Sequence, residues 1–198
     1  MGLKDMMNYG ILKLDKSEVK VKQRKYRDSY RLVTDVDPMT GKAREVAEYA
    51  GDHYRFPDGE EARRRTMTAG SCVALYWALA VVHLRLCRVT GNCMYALVPF
   101  MLGVFPGAYA VMGLWTTLRA GERMTVVEKE NGPGRLVRAA LGCGVFAALG
   151  AVGCAVCLTL GGQWAAGWPE PLWAAAASAA AWAAFAVSRR QYKSIEKA

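Results

Sequence analysis

Residues 91–118 read GNCMYALVPFMLGVFPGAYAVMGLWTTL, twenty-eight positions without a charged side chain. A helix rises about 1.5 Å per residue, so roughly 20 apolar residues cross about 30 Å of hydrocarbon. Three more uncharged stretches accompany this one, Met67–Leu84, Ala139–Leu160 and Pro171–Ser188. Together they predict spans at 67–87, 91–118, 138–160 and 171–188. The expected fold is an all-α membrane protein, a four-helix transmembrane bundle with a small N-terminal cytosolic unit containing a β-hairpin. Residues 1–66 form that cytosolic region, 67–188 the membrane domain and 189–198 a basic cytosolic tail.

Charge gives the orientation. Threaded four times, the chain leaves 24 of its 26 Lys and Arg on one side and only Arg85 and Arg88 on the other. The positive-inside bias therefore predicts a multi-pass protein of the cell membrane with both termini cytoplasmic. A net charge of +9 often signals a nucleic-acid partner. Here the basic residues alternate with acids and gather at span ends, in Arg63-Arg64-Arg65 and Arg189-Arg190. There they anchor helices and meet anionic headgroups, so the expected partner is the lipid bilayer and not nucleic acid. The first 20 residues lack the apolar core of a signal peptide. Met1-Gly2 resembles a myristoylation start, but position 6 is Met instead of Ser or Thr.

The polar first third has its own pattern. Residues 1–25 read as a poorly ordered arm or one short helix. Tyr30, Leu32, Thr34 and Val36 alternate with other side chains, Asp37–Lys42 is rich in turn formers, and Glu45–Tyr49 alternates again. This predicts a hairpin near 30–49, with a third strand at His53–Phe56 after the Gly51-Asp52 break. Asp58 is placed to cap a helix, with Glu60 and Glu61 at the positive end of its dipole. That helix is expected to run unbroken from Ala62 into the first span. Thr125 and Glu128 have capping-box spacing, predicting a short helix stopped by Gly132-Pro133-Gly134.

Within the spans, Pro99 and Pro106 each remove a helix hydrogen bond and predict kinks. Trp164, Trp168 and Trp173 suit a headgroup belt. The last stretch is mostly alanine, which contributes little insertion energy, so it is expected to enter as a hairpin with the third. Gly103 and Gly107 make a GxxxG pair, and Ala139, Cys143, Ala147 and Ala151 form a small-residue stripe beside Gly142, Gly150 and Cys154. Such surfaces let helices approach closely. They serve either a homo-oligomer or packing within one bundle, and a four-helix bundle needs them internally.

Chemistry-bearing residues are sparse. Cys72 and Cys143 fall in the inner half of the bilayer, and Cys87, Cys93, Cys154 and Cys157 in the outer half. Cys87 and Cys93 flank the outer turn, where a disulfide between them is conceivable on an oxidising side. Cys154 and Cys157 form a CxxC inside an apolar helix, whereas a redox thiol needs a partly exposed, electropositive setting. Cysteine is therefore read chiefly as a small packing residue. His83 is read as an interfacial group beside Arg85 and Arg88, although ionisable residues near spans are functional candidates. No Asp or Glu lies inside a span, which disfavours a proton-coupled transporter. Asp35–Val46 fails as a calcium loop and Gly41-Lys42 lacks the upstream glycine of a P-loop. Catalytic, cofactor and metal residues are expected to be absent.

Gly51-Asp-His-Tyr-Arg-Phe-Pro57, the Pro99–Tyr109 segment and Glu122-Arg-Met-Thr125 carry a resemblance to a group of small uncharacterised bacterial multi-span membrane proteins. It covers about residues 26–130, implies no activity, and implies a bacterial inner membrane. The leading expectation is a non-enzymatic accessory or scaffold subunit of a membrane assembly, contacting a membrane-protein partner or a second copy through 26–66 and 119–135. The alternative is a small transporter or channel lined by the kinked second span, whose freed carbonyls would face a cavity.

Overall fold

Alternation in the polar third does produce a hairpin. The computed structural model describes residues 30–36, 43–121 and 123–198. Tyr30–Val36 (β1) and Ala43–Tyr49 (β2) pair antiparallel, with Tyr30 opposite Tyr49 and Val36 opposite Ala43. The two tyrosine rings meet edge-on with centroids 5.3 Å apart. The expected turn at Asp37–Lys42 and the expected arm at 1–25 lie outside the described residues. This hairpin belongs to one compact unit ending at Asp52, and the remainder, His53–Ala198, is another.

The third strand belongs to that second unit and not to the hairpin. His53–Arg55 (β3) pairs antiparallel with Met124–Thr125 (β4) and with Glu196–Lys197 (β5). The cause is position along the chain. Pro57 and Asp58 follow β3 at once and start the first helix, so β3 sits at that helix's base. The two other segments that leave helices at the same end complete the three-stranded sheet. This is called the sheet end below, and the opposite end, where the helices reverse, the turn end.

Among the described residues, four helices are long and apolar enough to cross a membrane. The first, α1 (Gly59–Leu86), begins as the sequence predicts. Asp58 accepts from the backbone N–H groups of Glu60 and Glu61 at 2.9 and 3.0 Å, satisfying donors that have no helical partner. The second apolar stretch is α2 (Met94–Leu102) followed by α3 (Val104–Arg119), interrupted at Gly103 between the two prolines. Thr125 then caps α4 (Val126–Lys129) through a complete capping box.

Gly132-Pro133-Gly134 does not stop this helix. It forms a wide π-helical turn, Glu130–Gly134, that leads directly into α5 (Arg135–Gly161). The reason is close packing. A Cβ on Gly132 would lie 3.1 Å from the Thr117 hydroxyl, and one on Gly113 would lie 2.8 Å from the Leu136 nitrogen. The glycines let α3 press against this turn, and that contact keeps it helical. Gly162, at φ +62°, then ends α5 in the left-handed conformation glycine adopts without cost. The short α6 (Trp164–Gly167) and the long α7 (Pro169–Lys193) complete the helices.

Alanine decides where α7 sits. Ala174, Ala177, Ala181 and Ala184 are all almost fully buried, and their spacing keeps them on one face. A helix this thin packs against α1 and α5 together, its principal neighbours. The expected hairpin of the third and fourth stretches is present as α5 against α7. The first and last helices are equally intimate, which helix order alone does not reveal. Large apolar side chains such as Phe105, Trp115, Val152 and Leu160 point outward instead.

Candidate functional site at the turn end

Small residues set how closely the helices pack, and they are spent inside the bundle. A Cβ on Gly103 would meet the Tyr76 hydroxyl at 3.0 Å, and one on Gly107 the Trp77 ring at 2.8 Å. Gly150 faces Phe100 in the same way, while Cys143 and Ala147 are buried in the core with Tyr76 and Phe100. Pro106 rests against Gly142. Without an N–H, Pro99 and Pro106 leave backbone carbonyls short of donors. Near that break, the Tyr76 hydroxyl donates to the Gly103 carbonyl at 3.2 Å, and the Cys143 thiol approaches the same oxygen at 4.0 Å.

The basic residues lie where their sequence positions put them along the helices. Arg63, Arg64 and Arg65 occupy the first turns of α1, where Arg65 pairs with Glu61. Arg189 and Arg190 are exposed near the end of α7, and the Arg189 guanidinium stacks over Phe185. At the sheet end, Arg55, Phe56, Arg63, Met67 and Leu118 line an open cleft of about 650 Å³.

His83 faces the interior of the bundle. It is 3% exposed and tilts its ring against Phe100, centroids 4.4 Å apart. Helical phase explains this, since Ala69, Val73, Tyr76, Ala80 and His83 recur every three or four residues on the buried face of α1. Its Nδ1 has no hydrogen-bond partner.

One turn further on, the chain leaves α1 and wraps a carboxylate. Glu170, in the first turn of α7 ahead of the uncharged stretch 171–188, is 4% exposed. Its Oε1 accepts from the N–H groups of Arg88 and Val89, each at 2.8 Å. Its Oε2 accepts from the Thr90 N–H at 2.8 Å, the Thr90 hydroxyl at 2.6 Å and the Cys87 thiol at 3.4 Å. Burial opposes the charge. The Thr90 hydroxyl and the Val89, Thr90 and Arg88 N–H groups outweigh it, holding the carboxyl below its usual range. Three successive loop N–H groups thus form an anion nest filled by the protein's own side chain.

Sulfur surrounds this clamp. Cys93 and Cys157 are joined in a disulfide that ties the α1–α2 link to α5. The bridge is not Cys87–Cys93: α5 brings Cys157 to Cys93, while Cys87 turns toward Thr90 and Glu170. Cys72, Cys87, Cys143 and Cys154 are free thiols. The Cys87 sulfur is 2.8 Å from the Thr90 hydroxyl, which also reaches the Cys154 sulfur at 3.4 Å. An adjoining cavity of about 370 Å³ is lined by His83, Cys87, Arg88, Thr90, Asn92 and Phe100 among others. Among the described residues, no three His, Cys, Asp or Glu side chains are grouped to hold a metal.

Glu170 and Thr90 were not singled out by sequence reasoning. One signal was present, because Glu170 is the only acid in the whole of 67–118 and 139–188. Gln191 was missed as well. It is buried at the sheet end and donates to the Ala62 carbonyl at 3.2 Å and the Thr66 hydroxyl at 2.7 Å. No protein-family model matches the chain, and neither the curated proteins nor the solved structures contain a significant match.

Proposed function

We propose that this chain is a multi-pass protein of the cell membrane, both termini cytoplasmic, acting as a non-enzymatic accessory or scaffold subunit of a membrane assembly. The observation that supports this most is cross-tying at both ends of the four apolar helices. At the turn end, the Glu170 clamp and the Cys93–Cys157 bridge join the first helix pair to the second. At the sheet end, β3, β4 and β5 join three separate stretches of chain, and Gln191 ties α7 to α1. Alternating access requires one set of helices to rock against another. A bundle tied at both ends suits a rigid platform better.

In this reading residues 26–66 and 119–135 are the cytoplasmic contact surface, and the partner is another membrane protein or a second copy. The 24 Lys and Arg on that side support the orientation. Gentle detergent extraction from native membranes, followed by mass spectrometry of the intact assembly, tests the proposal. Stoichiometric co-purification with another subunit or a second copy is expected. Recovery of the chain alone as a monomer overturns it.

A further inference from the structure

Four of the six cysteines gather at the turn end, and only two of them are joined. The other two are organised as a pair. A single hydroxyl, that of Thr90, touches both the Cys87 and the Cys154 sulfur. Their settings differ. Cys154 is completely buried in α5. Cys87 is half-buried and opens onto the cavity of about 370 Å³, with Arg88 and Asn92 on its wall. His83 lines the same cavity one helical turn before Cys87, nearly fully buried and with its Nδ1 unpartnered.

Packing alone does not require this arrangement. A structural cysteine is inert because it is sealed in apolar surroundings, whereas a reactive one is reachable and has positive charge nearby. Cys87 is reachable through the cavity, with His83 one helical turn before it on the same wall, and the Glu170 carboxylate accepts from its thiol at 3.4 Å. The buried Cys154 beside it has the position of a resolving thiol, close to its partner and shielded from outside.

We propose that Cys87 and Cys154 are a redox-active dithiol site that takes a small organic disulfide into the His83 cavity. The Cys87 thiolate attacks one sulfur of the incoming disulfide, forming a mixed disulfide and releasing one thiolate. The Cys154 thiolate then attacks the Cys87 sulfur and releases the second. The protein loses two thiol protons and gains one S–S bond, and the external disulfide becomes two thiols carrying those protons. The unpartnered His83 nitrogen can take the Cys87 proton and pass it to the leaving thiolate. The two sulfurs must close from their separate contacts with the Thr90 hydroxyl to an S–S bond of about 2.0 Å, and the hydroxyl keeps its bond to Glu170.

The test uses the full chain in detergent with oxidised glutathione as the probe. Free thiols are counted by alkylation and intact mass, and linkages are assigned by peptide mapping. The count is expected to fall from the four free cysteines to two, with a Cys87–Cys154 linkage appearing. Cys154→Ser, which removes the resolving thiol, is expected to accumulate one glutathione on Cys87. Cys87→Ser is expected to keep all its remaining thiols. Full alkylation of Cys87 and Cys154 in treated wild-type protein overturns the proposal. So does any other new pairing, or a Cys154→Ser chain that takes up no glutathione at Cys87. The wild-type measurement stands even if a variant fails to fold.

Discussion

Glu170 shows how one side chain can carry more than its own helix. Its carboxylate accepts from three loop N–H groups and a hydroxyl, of which the two Thr90 donors are buried. Glu170→Ala leaves those donors empty and is expected to cost about 3 kcal/mol. Glu170→Gln keeps an acceptor oxygen but loses the charge, so about half that cost is expected. Thermal unfolding in detergent reads both. The pH dependence follows from the lowered carboxyl value. A depressed folded value stabilises the protein above the ordinary 4.5 and loses that contribution as pH falls through the folded value. The wild-type and Glu170→Gln unfolding curves are therefore expected to converge in acid, and equal stability at neutral pH would refute the clamp. A lone acid was visible in the chain, but its partners lie about 80 residues away. Gly153 is the other revealing position. A Cβ there would lie 2.2 Å from the Tyr95 carbonyl oxygen and 2.8 Å from the Ala96 Cα, and backbone cannot yield as a flexible side chain does. Gly153→Ala is expected to destabilise by more than about 2 kcal/mol. Gly59→Ala has open space around it and is expected to stabilise by about 0.5 kcal/mol.

Helices were the most legible elements, because an uncharged run of such length has few alternatives. Their starts were legible where a side chain supplies the missing acceptor, as Asp58 and Thr125 do. Stops were less so. Gly132-Pro133-Gly134 has the composition of a breaker, yet contact with Thr117 holds it in a π-helical turn. The β3 residues had the pattern of a strand but not the address of their partner, since pairing depends on where β4 and β5 arrive. The same limit applied to sulfur. Cys93 and Cys157 are 64 residues apart and meet only because α2 packs on α5. Reducing that bridge is expected to lower stability by about 3 kcal/mol. Cys93→Ser and Cys157→Ser are each expected to match that loss, and the double variant to add almost nothing, because both remove one bond. Chemical denaturation with and without reductant measures this, and additive losses would contradict it.

For the molecule as a whole, the strongest signal is the separation of basic residues from apolar runs. It leads to a topology that reporters can check. A fluorescent protein fused after Ala198 is expected to fluoresce, and alkaline phosphatase inserted near Gln163 to be active. Phosphatase activity at position 198 would reverse the orientation. How the four helices neighbour one another was not legible. The alanine-rich last stretch looked the weakest of the four, because alanine adds little to insertion. In the bundle its small side chains let α7 lie against both α1 and α5.

Local composition was enough to establish four apolar helices and the two capped helix starts at Asp58 and Thr125. Each follows from interactions among residues close in the chain or from the solvent a stretch can tolerate. Which thiols meet, which loop holds Glu170, and which way His83 faces depended on helices converging from distant parts of the chain. Hydropathy is a property of a segment, whereas a clamp or a disulfide is a property of two segments, and their meeting is settled by packing.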